Sequence, residues 1–435
     1  MSNAEDSSPA WVAEEARGLR LCREGLAWHV WHPRRPWIAL VHRATGGEAA
    51  AEWWSVLDVA SARVLVAQRV DGETRDLAWV GEEELARVHR GGGAVRVDLL
   101  AVPDGGVIAS GRLPFRAESP VRAAWLPAAR WLVIRGDVSG DGVRERPALC
   151  ALDPELRLLH TVDAAALNPG SASPYFDVMA LDPDGRSVAL WFPRGQTSRR
   201  QTHVVIASWS GAAPVRWIAV ERMRGRAEYF GDEFGRPLVH GARWSSADRV
   251  EFYGQRDIAR VDPRGGRCVV TEDDNSFRCD DVCCRELADA PAARITLCIA
   301  TDLSGPAPPR THWGLRFDEG AGRAACLLPW RRAGGWEDEE EEAMNHAASA
   351  AGFVALLTGA EGSPDEVAVR MVDLRAGHAG MRAAEVATLA GRCGTIALSF
   401  DARWVFVATR GRGGAAECRV FPTGDLAWAP MTPPR

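Results

Sequence analysis

The run Asp137-Val138-Ser139-Gly140-Asp141-Gly142-Val143-Arg144-Glu145 sets oxygen side chains at alternate positions, a glycine at the bend and a carboxylate at the end. Hard cations take oxygen donors around tight turns, so Asp137, Ser139, Asp141 and Glu145 form a candidate calcium set. The run lacks a third acidic ligand and the full twelve-residue spacing, and a polar hairpin tip is the competing reading. Cys279, Cys283 and Cys284, with Asp280 and Asp281 between them, form a second candidate metal cluster. Structural zinc uses two separated ligand pairs, and only one cluster is visible. Adjacent cysteines on a strand also point to opposite faces. His29 and His32 face opposite sides of a predicted strand and read as packing and turn residues.

Nucleophilic chemistry finds no support. There is no G-x-S-x-G elbow, no phosphate loop ending in G-K-[ST] and no H-E-x-x-H. Gly411-Arg412-Gly413-Gly414-Ala415-Ala416 matches a dinucleotide fingerprint only superficially, because it separates two predicted strands and no helix follows. The 52 basic residues are all arginine, so every cation is a planar fork and none is an amine nucleophile. A net charge of −6 excludes a globally basic nucleic-acid binder. The N-terminal stretch has no apolar signal region, and no run approaches the roughly 18 residues of a membrane span. The ten cysteines are then expected to be reduced thiols in a cytoplasmic protein.

The elements that must position these groups come from a repeat. LAWHVWHPRRPWIALV, LAWVGEEELARV, VRAAWLPAARWLVI and DVMALDPDGRSVALW share one phrase: an apolar run, a short polar turn, a second apolar run. Each repeat carries four strand-like segments of Val, Leu, Ala and Trp separated by turn signals. Aligning the first strands sets Trp31, Trp79, Trp125, Leu181 and Trp244 at one equivalent position, spaced 48, 46, 56 and 63 residues apart. A large apolar residue recurring at one position is what face-to-face packing of successive small sheets requires. The pattern predicts an all-β ring of seven or eight four-stranded antiparallel sheets over residues 18–430, at 26–71, 72–115, 120–165, 174–221, 238–272, 279–335, 343–390 and 394–430. Residues 1–17 are expected to be a flexible lead and 431–435 a tail, while Gly18 to Gly25 is expected to add an outer strand to the last sheet.

Asp182-Pro183-Asp184-Gly185-Arg186 followed by SVALWF resembles the hairpin of WD40-like and TolB-type β-propellers, and Ser399 to Trp404 and Trp125 to Trp131 are weaker copies. The resemblance implies a propeller whose first strands line a channel. Arg75, Asp76, Arg122, Asp177, His240, Asn345 and His346 would then stand at its mouth. Propeller lactonases and lyases hold a channel metal, and in that alternative Asp177, His240 and His346 are the implied ligands. The longest polar insertions fall at 193–203, 221–237, 272–281 and 334–343, in loops predicted to share one face. The first two carry Arg194, Arg199, Arg200, Arg222, Arg224 and Arg226, a set suited to acidic or phosphorylated groups. The expectation is a non-enzymatic platform for a protein partner in a bacterial assembly, needing no cofactor beyond the candidate calcium ion. RNA binding is disfavoured by the acidic insertions nearby.

Overall fold

In the computed structural model, the described residues are 11–14, 18–21, 26–43, 52–138, 146–168, 176, 178–192, 202–209, 214–220, 239–246, 248–254, 257–272, 280–287, 294–302, 310–319, 322–331, 346–360, 363–410 and 416–431. They form eight antiparallel sheets, here called blades 1 to 8 in chain order. The chain divides into two compact units: Gly72–Ala101 with Gly106–Asn275, and Met1–Asp71 with Val102–Gly105 and Ser276–Arg435.

The first of these units holds blades 2 to 5, each a four-stranded meander. Blade 2 runs Glu73–Trp79, Glu84–Gly91, Ala94–Ala101 and Val107–Arg112. Blade 3 runs Arg122–Leu126, Trp131–Val138, Arg146–Leu152 and Leu158–Asp163. Blades 4 and 5 repeat the pattern from Met179–Leu181 to Arg216–Ala219 and from Val239–Ser246 to Arg267–Glu272. Alternation along the strands gives each inner strand two apolar faces, and neighbouring blades bury them against one another. Val88, Val97 and Leu99 of blade 2 pack on Leu132, Ile134 and Cys150 of blade 3. Val133 and Leu149 meet Val188, Leu190 and Phe192 of blade 4, whose fully buried Trp191 lies 5.2 Å from the Phe252 ring of blade 5.

The other unit holds blade 1, from Leu26–Trp31 to Arg63–Val70, blade 6, from Asp280–Leu287 to Gly322–Arg331, blade 7, from Ala347–Ala350 to Arg382–Ala390, and blade 8. Trp313 of blade 6 is fully buried and donates from Nε1 to the Leu357 carbonyl of blade 7 at 3.0 Å. Phe406, Cys418 and Val420 of blade 8 pack on Ile38, Leu40 and Leu57 of blade 1. The recurring first-strand residues do belong to packing. Trp79 and Trp244 are buried, and Trp31, Trp125 and Leu181 lie partly buried against the apolar clusters.

Blade 8 takes three strands from the end of the chain (Arg392–Leu398, Trp404–Arg410 and Ala416–Pro422) and the fourth, Gly18–Leu21, from its beginning. The outer strand expected at Gly18 to Gly25 is therefore present. Two details depart from the sequence pattern. Where a flexible lead is expected, Trp11–Glu14 pairs with Gly18–Leu21 as a fifth strand. The end of the 394–430 range, which the pattern assigns to the last sheet, instead sets Ala429–Pro430 against Arg382–Ala390 of blade 7. The cause is local packing: Leu426 and Trp428 settle into the apolar cluster of blades 7 and 8 and carry the following residues to the blade 7 edge.

Turn chemistry explains the hairpins that carry the resemblance. In blade 4, Gly185 takes φ +69° and donates its N–H to the Asp182 carbonyl at 2.8 Å, while Asp184 N–H donates to Asp182 Oδ1 at 3.1 Å. In blade 8 Ala402 holds the same left-handed position, and Ser399 Oγ accepts from Trp404 N–H at 3.1 Å.

Candidate functional site

Three of the expected channel-mouth residues lie together in blades 2 and 3. Asp76, on the first strand of blade 2, accepts from Leu77 N–H at 2.8 Å and, across to blade 3, from Ala123 N–H at 2.7 Å. Burial pushes its carboxyl above the usual range, against the opposing pull of those two N–H groups and of the Arg122 charge. The carboxylate thus satisfies a first-strand N–H of the next blade. Arg75 pairs with Glu73 at 3.1 Å, and Arg122 is exposed with its guanidinium 3.4 Å from the Val121 carbonyl. Of the three, Asp76 ties one blade to the next, while Arg75 and Arg122 make local contacts.

The remaining expected positions are more dispersed. His346 is buried beside Ala347–Ala350, and its carbonyl accepts from Leu357 N–H at 2.8 Å. His240 sits on Val239–Ser246 at a register shift between Val239 and Gly241. Asp177 and Asn345 lie outside the described residues. So do Arg194, Arg199, Arg200, Arg222, Arg224 and Arg226. Among the described residues no group of three or more His, Cys, Asp or Glu side chains is placed to hold a metal.

Of the candidate calcium set, Asp137 is described and Ser139, Asp141 and Glu145 are not. Asp137 is a buried residue of Trp131–Val138, paired opposite Pro147, and its N–H donates to Ser119 Oγ at 2.5 Å. It belongs to the ladder below the hairpin tip. Cys283 and Cys284 occupy successive positions on Asp280–Leu287, opposite Ile299 and Cys298, while Cys279 lies outside the described residues. His29 and His32 behave as expected. Burial pushes His29 down to about 4 beside the Phe406 ring, and His32 Nδ1 accepts from Arg34 and Arg35 N–H at 3.0 and 2.9 Å.

Two surface features escape the sequence pattern. Exposed large apolar residues gather at the outer strands of blades 2 to 5: Val107 and Ile108, Leu158 and Leu159, and Val269 lie on them, and Val215 immediately precedes Arg216–Ala219. On blade 2, His89, Arg96 and Arg112 form one cross-strand row. A sequence signal for the row exists. A two-residue turn at Gly92-Gly93, both with positive φ, sets His89 opposite Arg96 by counting outward from the pivot.

No family model matches the chain, and no curated protein matches it in sequence. Solved structures match in fold. The chain is similar to the WD40 domain of SCAP from fission yeast, at 9% identity and a TM-score of 0.52, over 92% of this chain and 96% of that one. It is similar to the Dos1 propeller at 12% identity and a TM-score of 0.50, over 92% of each chain. The fold is a WD40-like β-propeller. At these identities the likeness reaches the fold alone. TolB from Acinetobacter baumannii aligns over 91% of this chain and 83% of that one, at 12% identity and a TM-score of 0.33. No helix among the described residues of this propeller is long and apolar enough to cross a membrane.

Proposed function

We propose that this propeller is a non-catalytic platform for a protein partner. In this reading the partner lays an extended apolar segment along the outer strands of blades 2 and 3. The carrying observation is that Val107-Ile108 and Leu158-Leu159 are the first two residues of the fourth strand in two successive blades, and all four are exposed. Single apolar residues on a surface are ordinary, whereas doubled residues at equivalent positions supply a repeated apolar contact. Burying one such side chain is worth about 1.5–3 kcal/mol. An outer strand also offers unpaired backbone groups to an added strand. The chain uses this mode on itself, adding Ala429–Pro430 to blade 7 and Trp11–Glu14 to blade 8. Arg194, Arg199, Arg200, Arg222, Arg224 and Arg226 would supply bidentate contacts to acidic or phosphorylated groups of the same partner. Buried free thiols at Cys150, Cys326 and Cys418 fit a reducing, cytoplasmic setting.

The test is reciprocal affinity capture from the native host, comparing the wild-type chain with Ile108→Asp/Leu159→Asp and with Arg222→Glu/Arg224→Glu. A partner that captures the chain in return, and is lost with the apolar pair, supports the reading. Its loss with the arginine pair adds the charged contact. Unchanged capture by both variants overturns the proposal.

A further inference from the structure

We propose that the face of blade 2 bearing Arg96, Arg112 and His89 is a binding site for a phosphate-class oxyanion. The site shares the strand Val107–Arg112 with the proposed partner-binding edge but depends on different residues of it. The register places His89 opposite Arg96 and Arg96 opposite Arg112, so the three side chains leave the same face of the sheet. Arg96 and Arg112 are both exposed, and neither has an ion-pair or hydrogen-bond partner among the described residues. Like charges directly opposite one another destabilise a sheet, and an anion held between them reverses that effect.

The next row on this face consists of Arg87, Asp98 and Ser110. Asp98 is the carboxylate of the two rows, and its neighbours already occupy it. It accepts from Ser110 Oγ at 2.6 Å and lies 2.9 Å from His89 Nε2, with Arg87 adding its charge. Arg87 is itself buried, donating to Thr74 Oγ1 at 2.7 Å and to the Gly72 carbonyl at 2.9 Å. Asp98 is thereby committed to the inner part of the face, and among the described residues nothing pairs with Arg96 or Arg112.

His89 supplies the second, independent observation. It is 7% exposed, and its Nδ1 has no hydrogen-bond partner among the described residues. With Nε2 turned to Asp98, Nδ1 is the ring atom without a partner among the described residues; it is enclosed beside Gly72 and Gly91, and a ligand reaches it once the glycine hairpin shifts. The adjacent hairpin makes room for one. At Gly91 a Cβ would stand 3.4 Å from His89 Nδ1 and 3.8 Å from Arg96 Cδ, so the missing side chain leaves a notch onto which both residues face. At Gly92 and Gly93 nothing lies within 4 Å of the corresponding point, which leaves the turn backbone open to approach.

This donor and acceptor set selects among anions. Two guanidinium forks ask for several acceptor oxygens, and tetrahedral phosphate presents three or more. An imidazole whose Nε2 is turned to a carboxylate has Nδ1 placed to accept a hydrogen bond, and the monoanion of a phosphate or phosphomonoester carries an O–H to donate. Acetate and sulfate at neutral pH carry none.

Isothermal titration of the full chain at low salt, with inorganic phosphate, O-phosphoserine, sulfate and acetate, tests the assignment. Phosphate is expected to bind one to one and more tightly than sulfate or acetate. Charged hydrogen bonds of this kind lead us to expect that Arg96→Ala/Arg112→Ala weakens binding by about tenfold or more. Both positions are exposed, and an unchanged melting temperature will show that the variant is folded. Binding of O-phosphoserine alongside phosphate assigns a phosphorylated side chain as the source; binding of inorganic phosphate alone assigns the free ion. Absence of phosphate binding, equal affinity for acetate or sulfate, or equal affinity in the double variant overturns the site. None of these outcomes depends on partner capture, so this proposal and the platform reading fail separately.

Discussion

Acidification, or Asp373→Asn, should loosen the C-terminal strand of blade 7 by about 1 kcal/mol. Asp373 is buried at the end of Ser363–Asp373, and two arginines close on its carboxylate. Arg375 donates from Nε to Oδ1 at 3.0 Å and from Nη2 to Oδ2 at 2.9 Å, and Arg382 donates to Oδ2 at 2.6 Å. The same guanidinium groups lie over aromatic rings, Arg375 over Phe353 at 4.3 Å and Arg382 over Trp428 at 5.8 Å. Arg382 also pairs with Pro430, so the ion cluster and the added strand Ala429–Pro430 share an anchor.

Burial alone would raise the Asp373 carboxyl, but the hydrogen bonds from Arg375 and Arg382 outweigh it and hold the group at about 2, below its ordinary value of 3.8. That shift corresponds to at most about 2.5 kcal/mol of stabilisation at neutral pH. The arginine side chains are 51% and 46% exposed, and screening lowers the expectation to about 1 kcal/mol. A depressed folded-state value means the contribution is fully present above the unfolded value near 3.8 and is lost as pH falls through about 2. Two measurements check this: Trp428 fluorescence, and amide exchange across Arg382–Ala390 as a readout of local opening. Asp373→Asn should ease opening by about 1 kcal/mol at pH near 7, and the difference from wild type should shrink below pH about 4 and vanish only below pH about 2. A difference that persists unchanged to low pH, or no difference at neutral pH, refutes the argument.

Arg130 holds φ +55° at an exposed hairpin position between Arg122–Leu126 and Trp131–Val138, so Arg130→Gly should stabilise the chain by about 0.5–1 kcal/mol in urea denaturation. Gly136→Ala would set a Cβ 2.6 Å from Phe115 Cγ in a closed part of blade 3 and should cost about 1–3 kcal/mol in the same assay. Calcium should raise the melting temperature if the 137–145 hairpin binds it, and Asp141→Ala should abolish the shift; superposable curves with calcium and with chelator would remove the metal reading.

Strand positions and hairpins were legible because their causes are local: apolar alternation between turn signals, and left-handed turn positions such as Gly185. Interactions made across blades were harder to read. Asp76 meets Ala123 N–H 47 positions away, and nothing near Asp76 in the sequence marks it as a strap to the next blade. The run ending in Ala429-Pro430 has the composition of a last strand. Which edge it joins depends on where Leu426 and Trp428 find apolar cover. The row of His89, Arg96 and Arg112 is an intermediate case: the glycine turn fixes the pairing, but its value as a site depends on Asp98 being occupied by His89, Ser110 and Arg87.

Outer strands are where a sheet protein must control unwanted pairing, and the chain treats its edges differently. Blades 7 and 8 receive added strands from the chain itself. Blade 1 ends in Arg63–Val70, where exposed Arg63 and Arg69 discourage an apolar strand from docking. Blades 2 and 3 carry neither protection at the start of their fourth strands, where Val107-Ile108 and Leu158-Leu159 meet solvent. Exposed apolar pairs beside open backbone carry an aggregation cost unless something covers them. The same strand addition that covers blades 7 and 8 from within would cover these edges from a partner.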